Sequence, residues 1–396
     1  MREEEDTVKP FVSILASLLL LILTSGCWDN NELDEYGFVQ AVAIDRSDDH
    51  LIELTTHLYN PSSKMEMGDE AKPAQKSINF RTTGETFFEA LREIPAEFGR
   101  KAKWDHMRVI IIGEKLAKTI NIREVLDFFS RDHEPRGTVL PLIAEKSAAD
   151  FLDVKPFIEQ TIGQQYKKME TNGARYSAKT SSIPLYELAI QMKSPSKTSA
   201  VPYIHKNSLD HKAVVSGTAL IQDGKMVELL KERDTEALMM LTQRYRFGII
   251  EFPCMKHDNE QVLSKESFEV LTFHSSVTPT LTDDSVSIKV QISMEGTVGE
   301  LRCSHLKTNS DMEHFEQIVE DTIEQQITHT INVLKRKKVD AIGIGNQLYR
   351  KNPKRWKQLE PDWEERFARS EFEVDVKVKV LSTGMNSGTI FGTKEK

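Results

Sequence analysis

Three cysteines in 396 residues are too few for a disulfide scaffold. No apolar run reaches the roughly 20 residues that a membrane-spanning helix needs. Positive charge is not in excess either. With 52 Lys and Arg against 61 Asp and Glu, the formal net charge is -9, which argues against a general nucleic-acid binder and its basic field. No tandem repeat and no long low-complexity tract is present. The eleven histidines never adopt an HExxH-like metal spacing, and no Gly-x-Ser-x-Gly elbow exists. Gly217 and Gly224-Lys225 are spaced too widely for a phosphate loop. Gly343-Ile344-Gly345 follows a helical pattern rather than a strand and lacks a third glycine, so it fails as a dinucleotide fingerprint. Metal, nucleophile and nucleotide chemistry all lack their usual signatures.

What is present begins at the amino terminus. Phe11 to Leu23 (FVSILASLLLLIL) carries no charge, and its thirteen residues match the apolar region of a secretory signal. Leu23-Thr24-Ser25-Gly26-Cys27 follows at once and resembles a bacterial lipobox. That resemblance implies a diacylglyceryl thioether on the Cys27 sulfur and cleavage between Gly26 and Cys27. The acidic Glu3-Glu4-Glu5-Asp6 departs from the positive start of an ordinary signal.

The remainder reads as an exported body. Gly37–Ile44 and Leu51–Tyr59 form a hairpin across a polar turn. Thr82 and Glu85 sit at capping-box spacing before an amphipathic helix, and Ser147 is placed to cap a helix starting at Ala148. Met107–Ile112 and Thr138–Ala144 are apolar strands, with a helix between them. Residues 193–212 hold two prolines among small and polar residues and read as a linker. Gly217–Leu230 is a second hairpin turning at Asp223-Gly224. Phe268–Val277, Val286–Met294 and Phe372–Val380 are longer strands, the last alternating strictly between valine or phenylalanine and charged residues. Met312–Lys338 is a long amphipathic helix with Phe315, Val319, Ile323, Ile327, Ile331 and Leu334 on one face.

The expected class is α+β, with two to three mixed α/β domains and a C-terminal antiparallel sheet packed on the long helix. The expected division is a signal peptide at 1–26, an N-terminal domain at 28–192 and a linker at 193–212. A middle hairpin/helix domain follows at 213–262, then a C-terminal domain at 263–385 and a tail at 386–396.

Several segments, in order, resemble the Ger(x)C family, the lipoprotein C subunits of nutrient germinant receptors in endospore-forming bacteria. They include Cys27-Trp28-Asp29-Asn30-Asn31-Glu32-Leu33, Ala43-Ile44-Asp45, and Trp104-Asp105-His106 before Val109–Glu114. Near the other end stand Asp340-Ala341-Ile342-Gly343-Ile344-Gly345, Trp356 and Trp363. The resemblance implies three mixed α/β domains and a position on the outer face of the spore inner membrane. It also implies work beside two integral-membrane partners, the A-type and B-type subunits. It carries over no catalytic site, no metal and no cofactor beyond the lipid on Cys27.

Other clusters have bland and sharp readings. Lys335, Arg336, Lys337 and Lys338 suit the negative end of a helix dipole; the sharper reading is contact with anionic lipid headgroups. Asp132-His133-Glu134 reads as a solvated loop rather than acid/base chemistry, and His106 as a structural histidine. Trp356 and Trp363 read as core rather than interface anchors. Cys254 and Cys303 are equally acceptable paired or free. The rival to a receptor subunit is an extracytoplasmic solute-binding lipoprotein that captures the nutrient itself; a wall-acting enzyme is a third reading.

Overall fold

Tyr36–Arg46 forms strand β1, and its side chains explain its central position. Val39, Val42 and Ile44 enter one buried cluster, while Ala41 and Ala43 enter another. A register shift between Val39 and Ala41 changes the parity, after which successive residues alternate between two covered faces. A strand buried on both sides belongs inside a sheet.

The computed structural model describes residues 14–17, 35–60, 77–253, 265–282, 285–302, 304 and 306–383. Around β1 it assembles β2 (Ile52–Tyr59), β3 (Ser77–Gly84), β4 (Lys101–Lys103), β5 (Val109–Gly113), β6 (Leu140–Ala144), β7 (Thr198–Lys206), β8 (Ala213–Gln222) and β9 (Lys225–Leu230). The nine strands make one sheet in the order β3-β2-β1-β5-β6-β7-β8-β9, with β4 on the start of β1. Pairing is parallel from β1 through β7 and between β4 and the start of β1, and antiparallel at both flanks.

One face carries α1 (Phe87–Phe98), α2 (Glu114–Thr119), α3 (Ile122–Arg131) and α5 (Leu185–Met192) over Ile110, Ile112 and Ile143. The other carries a short turn at Ala149–Phe151 and α4 (Ile162–Tyr176) over Val109, Ile111 and Leu142. After α6 (Glu232–Leu241) the chain builds a second sheet from β10 (Gly248–Pro253), β11 (Lys265–Leu281), β12 (Val286–Glu300) and β13 (Glu371–Ser382). Helix α7 (Asn309–Lys337) starts from a capping box between Thr308 and Asp311. It buries Phe315, Val319, Ile323, Ile327, Ile331 and Leu334 in one core with Val286, Ile288, Val290 and Ile292. Ser287, Lys289, Gln291 and Ser293 point to solvent on the other face.

The second sheet is antiparallel from β10 to β12, but β12 and β13 pair in parallel, from Ser287↔Glu371 onward. The long helix and three short ones lie between those two strands, and such a crossover permits parallel return. Alternation in sequence is identical for either direction. β13 is an edge strand, and two of its N–H groups are taken up by side chains of α7. Val378 donates to the Glu320 carboxylate at 2.9 Å and Val380 to Glu316 at 2.7 Å, both from α7.

Three expectations are corrected. The presumed linker at 193–212 contains β7, fully integrated beside β6 and β8. The presumed middle domain at 213–262 is divided: β8 and β9 finish the first sheet, while β10 opens the second. Helix α1 is capped by Thr86 rather than Thr82, with the Thr86 hydroxyl accepting from Glu89 N at 3.2 Å and the Glu89 carboxylate from Glu85 N at 2.7 Å. The expected tail at 386–396 lies outside the described residues.

Candidate functional site

Gly26 and Cys27, the expected cleavage and lipidation residues, lie outside the described residues, as do Cys254 and Cys303. The sequence motifs farther along are within them, and two turn out to be buried carboxylate clasps.

Asp45 ends β1 beside the start of the turn at Ala149. Its carboxylate accepts from Ala148 N at 2.8 Å, Ala149 N at 2.9 Å and Ser147 Oγ at 3.1 Å. Asp45, not Ser147, therefore satisfies the free N–H groups there. Gly113, at the end of β5, makes room for it: a Cβ at 113 would stand 2.1 Å from Asp45 Oδ1. Two motif pieces far apart in sequence form one joint.

Asp340 repeats the device. It is buried, and its carboxylate accepts from Gly343 N and Ile344 N at 2.9 Å, Gly345 N at 2.7 Å and Trp363 Nε1 at 3.1 Å. Burial pushes its carboxyl up from the ordinary range, against the pull of those four donors. The turn leads into α8 (Ile344–Lys351), followed by α9 (Pro353–Leu359) and α10 (Trp363–Arg369). Trp356 and Trp363 are buried with ring centroids 5.1 Å apart, and Gly345 lies where a Cβ would come 2.7 Å from the Trp356 ring. The glycines of this motif serve packing, and Gly343 a left-handed turn at φ 81°.

These helices also join the two sheets. Ser196 N donates to Asn346 Oδ1 at 2.9 Å, and Gln222 Nε2 to Glu364 at 2.7 Å. Arg244, after α6, donates to Ser182 O and pairs with Glu187 of α5. Ala178, Leu220 and Leu230 from the first body complete the apolar core of the second. Between these links the seam leaves a polar cavity of about 340 Å³.

The basic cluster sits at the end of α7. Lys335 donates to Ser370 O at 2.6 Å, Lys337 pairs with Glu228 at 2.6 Å and Lys338 pairs with Glu365. Lys335 and Arg336 have no ion-pair partner among the described residues. Glu134 accepts from Lys103 at 2.9 Å and Trp104 N at 3.1 Å, so it staples a loop, while His133 is solvated. His106 rests edge-on to Phe38. Among the described residues no group of three or more His, Cys, Asp or Glu is placed to hold a metal, and no helix is long and apolar enough to cross a membrane. Asp340 and the glycines after it turn the chain between two helices, as their spacing suggests; sequence reasoning missed the partners of Asp45 and the Trp363 bond to Asp340, and with them the seam, for which the glycines at 113 and 345 were the available signal.

Comparison with known proteins agrees with this geometry. Residues 29–206 match the family described as spore germination protein N-terminal domain, and residues 216–384 match that described as spore germination B3/GerAC like, C-terminal. The chain is 24% identical to spore germination protein KC of Bacillus subtilis (strain 168), covering 95% of this chain and 97% of that protein. It is also 24% identical to spore germination protein B3 of the same organism, over 92% and 96%. A solved structure, described as the crystal structure of the GerBC protein, aligns with TM-score 0.57 over 89% of this chain and 100% of that one, at 18% identity.

Proposed function

Because the chain belongs to the Ger(x)C family of spore germination proteins, we propose that it is a non-catalytic, lipid-anchored subunit of a nutrient germinant receptor. A role in spore germination follows from the family. The finer reading adds the anchor, the location and the partners. In it, a diacylglyceryl group on Cys27 holds the body to the outer face of the spore inner membrane, beside A-type and B-type integral-membrane subunits.

The observation that carries this reading is where the family match starts. It begins at residue 29, two residues after the lipobox cysteine, so the apolar leader falls outside the family domain and the body follows Cys27 directly. β1 starts at Tyr36. Nine extended residues span at most about 30 Å, so an anchored Cys27 keeps the start of β1 within that distance of its attachment. One acyl chain binds a membrane only marginally, whereas the two of a diacylglyceryl group, at about 0.8 kcal/mol per buried CH2, make the attachment lasting.

The motifs support a coupling rather than a chemical role. Their carboxylates are consumed in holding the fold, and the two sheets are locked through α8 to α10. The test is nutrient-triggered loss of optical density in spores lacking this gene. The reading expects loss of the response to at least one nutrient, with germination by exogenous dipicolinate intact. Normal responses to every nutrient, in a strain without related receptors, would count against it.

A further inference from the structure

We propose that a cavity beside the β1–β2 turn is a binding site for a monocarboxylate with an apolar body. The site is independent of how the chain is anchored or which complex it joins. The cavity, of about 550 Å³, lies between that turn, the first turn of α1 and one side of α3. Its volume is within the range for ligand pockets.

Arg46 closes β1. Val42 and Ile44 point to the face covered by α1 and α3, as does Ile52, which stands opposite Arg46. Strand parity turns the Arg46 side chain the same way, and so a guanidinium lies among apolar groups. Its Nε is buried with no hydrogen-bond partner, a costly state for a polar group. Its Nη groups bond to nothing among the described residues either, and they open on the cavity that Arg46 lines. Ile52, Phe87 and Val125, all buried, form the floor. Phe88 and Phe128 form a wall with ring centroids 6.1 Å apart, and Phe88 is 48% exposed. Glu85 and Glu124 are exposed at the rim and neither pairs with Arg46, while Asp127 is held by Arg131.

An unpaired guanidinium calls for an anion, and a carboxylate matches its parallel N–H donors. The aromatic wall calls for an apolar body, best a ring, packed beside it. The two rim carboxylates repel a second negative charge, which favours a monoanion over a dianion of the same shape. The complementary ligand is therefore an amphipathic acid of the size of phenylacetate, its carboxylate on Arg46 and its ring against Phe88 and Phe128.

The test uses the full chain in detergent micelles. The probe is para-fluorophenylacetate, read by its fluorine NMR signal against empty micelles. The matching amide keeps the ring without the charge, and para-fluorobenzylphosphonate carries the ring with two charges. Saturable binding of the carboxylate is expected, with the amide weaker by at least about tenfold because the charge-assisted bonds are lost. The phosphonate should also bind more weakly than the carboxylate. Arg46→Gln should weaken the carboxylate by the same factor and leave the amide unchanged, whereas Phe88→Ala should weaken both by about two- to tenfold. Arg350→Gln, which removes an exposed arginine far along the chain, should bind like wild type. Thermal unfolding checks each variant; if Arg46→Gln does not fold, Arg46→Lys replaces it, keeping the charge but losing the paired donors, and should still weaken the carboxylate. The proposal is overturned if the probe shows no saturable binding beyond empty micelles, if the amide or the phosphonate binds as tightly as the carboxylate, or if the folded Arg46 variant binds the carboxylate like wild type.

Discussion

Replacing Gly113 by alanine should destabilise the protein far more than a buried Gly→Ala change ordinarily does. At 113 the backbone has φ -65° and ψ 143°, which alanine adopts freely. Considered alone, the change would stabilise by about 0.4–1 kcal/mol by restricting the unfolded chain. The added Cβ, however, would stand 2.1 Å from Asp45 Oδ1, so the carboxylate must leave its place. It then gives up Ala148 N and Ala149 N, each bond to a charged acceptor contributing about 1.5–3 kcal/mol. The clash wins, and a net loss of about 2–5 kcal/mol follows. Urea unfolding of Gly113→Ala, Asp45→Ala and the double variant measures it. With Asp45 already truncated, the second substitution should add less than about 0.5 kcal/mol, giving a coupling energy of about 2 kcal/mol or more. A Gly113→Ala protein within about 1 kcal/mol of wild type, or strict additivity of the two changes, would refute the clasp.

Two other consequences are independent of it. Removing both edge guards, Glu316→Ala with Glu320→Ala, opens the outer N–H groups of β13; concentration-dependent association is expected in sedimentation velocity, and an unchanged profile would contradict that role. Glu236 has its carboxyl pushed up to about 7 by burial, against a hydrogen bond from Gln326 and the charges of Lys179 and Arg233. Between the ordinary carboxylate range and about pH 7 the folded state then holds a proton that the unfolded state has released, so stability falls as pH rises through that window. Glu236→Gln should flatten this part of a melting-temperature profile; a slope identical to wild type's would show that another group is responsible.

Much of the architecture was legible in the sequence, and the exceptions have physical causes. The long helix and its buried face could be read from spacing alone, because Phe315 to Leu334 recur at three and four residues. β1 and β5 announced themselves as apolar runs. β7 did not, since Pro202 inside Thr198–Lys206 argues against an inner strand; a register shift between Pro202 and Ile204 accommodates it. The parallel entry of β13 was invisible because alternation fixes faces, not direction. Asp45 and Asp340 stood out as motif residues, and the Gly343–Gly345 turn around Asp340 is local; the partners of Asp45, more than 100 residues away, and Trp363, 23 from Asp340, are beyond the reach of local pattern. The basic run at 335–338 showed the opposite failure: dense in sequence, it is largely paired once Glu228, Glu365 and Ser370 arrive from distant elements.

The anchored-subunit account is tested most directly with spores carrying Cys27→Ala, in which protein abundance, membrane fractionation and nutrient response are measured together. The account predicts a diacylglyceryl-modified Cys27 in wild-type inner membrane. In the variant it predicts protein of normal abundance released from that membrane, with the nutrient response lost and dipicolinate germination retained. Variant protein that stays in the inner membrane and supports a normal nutrient response would contradict it.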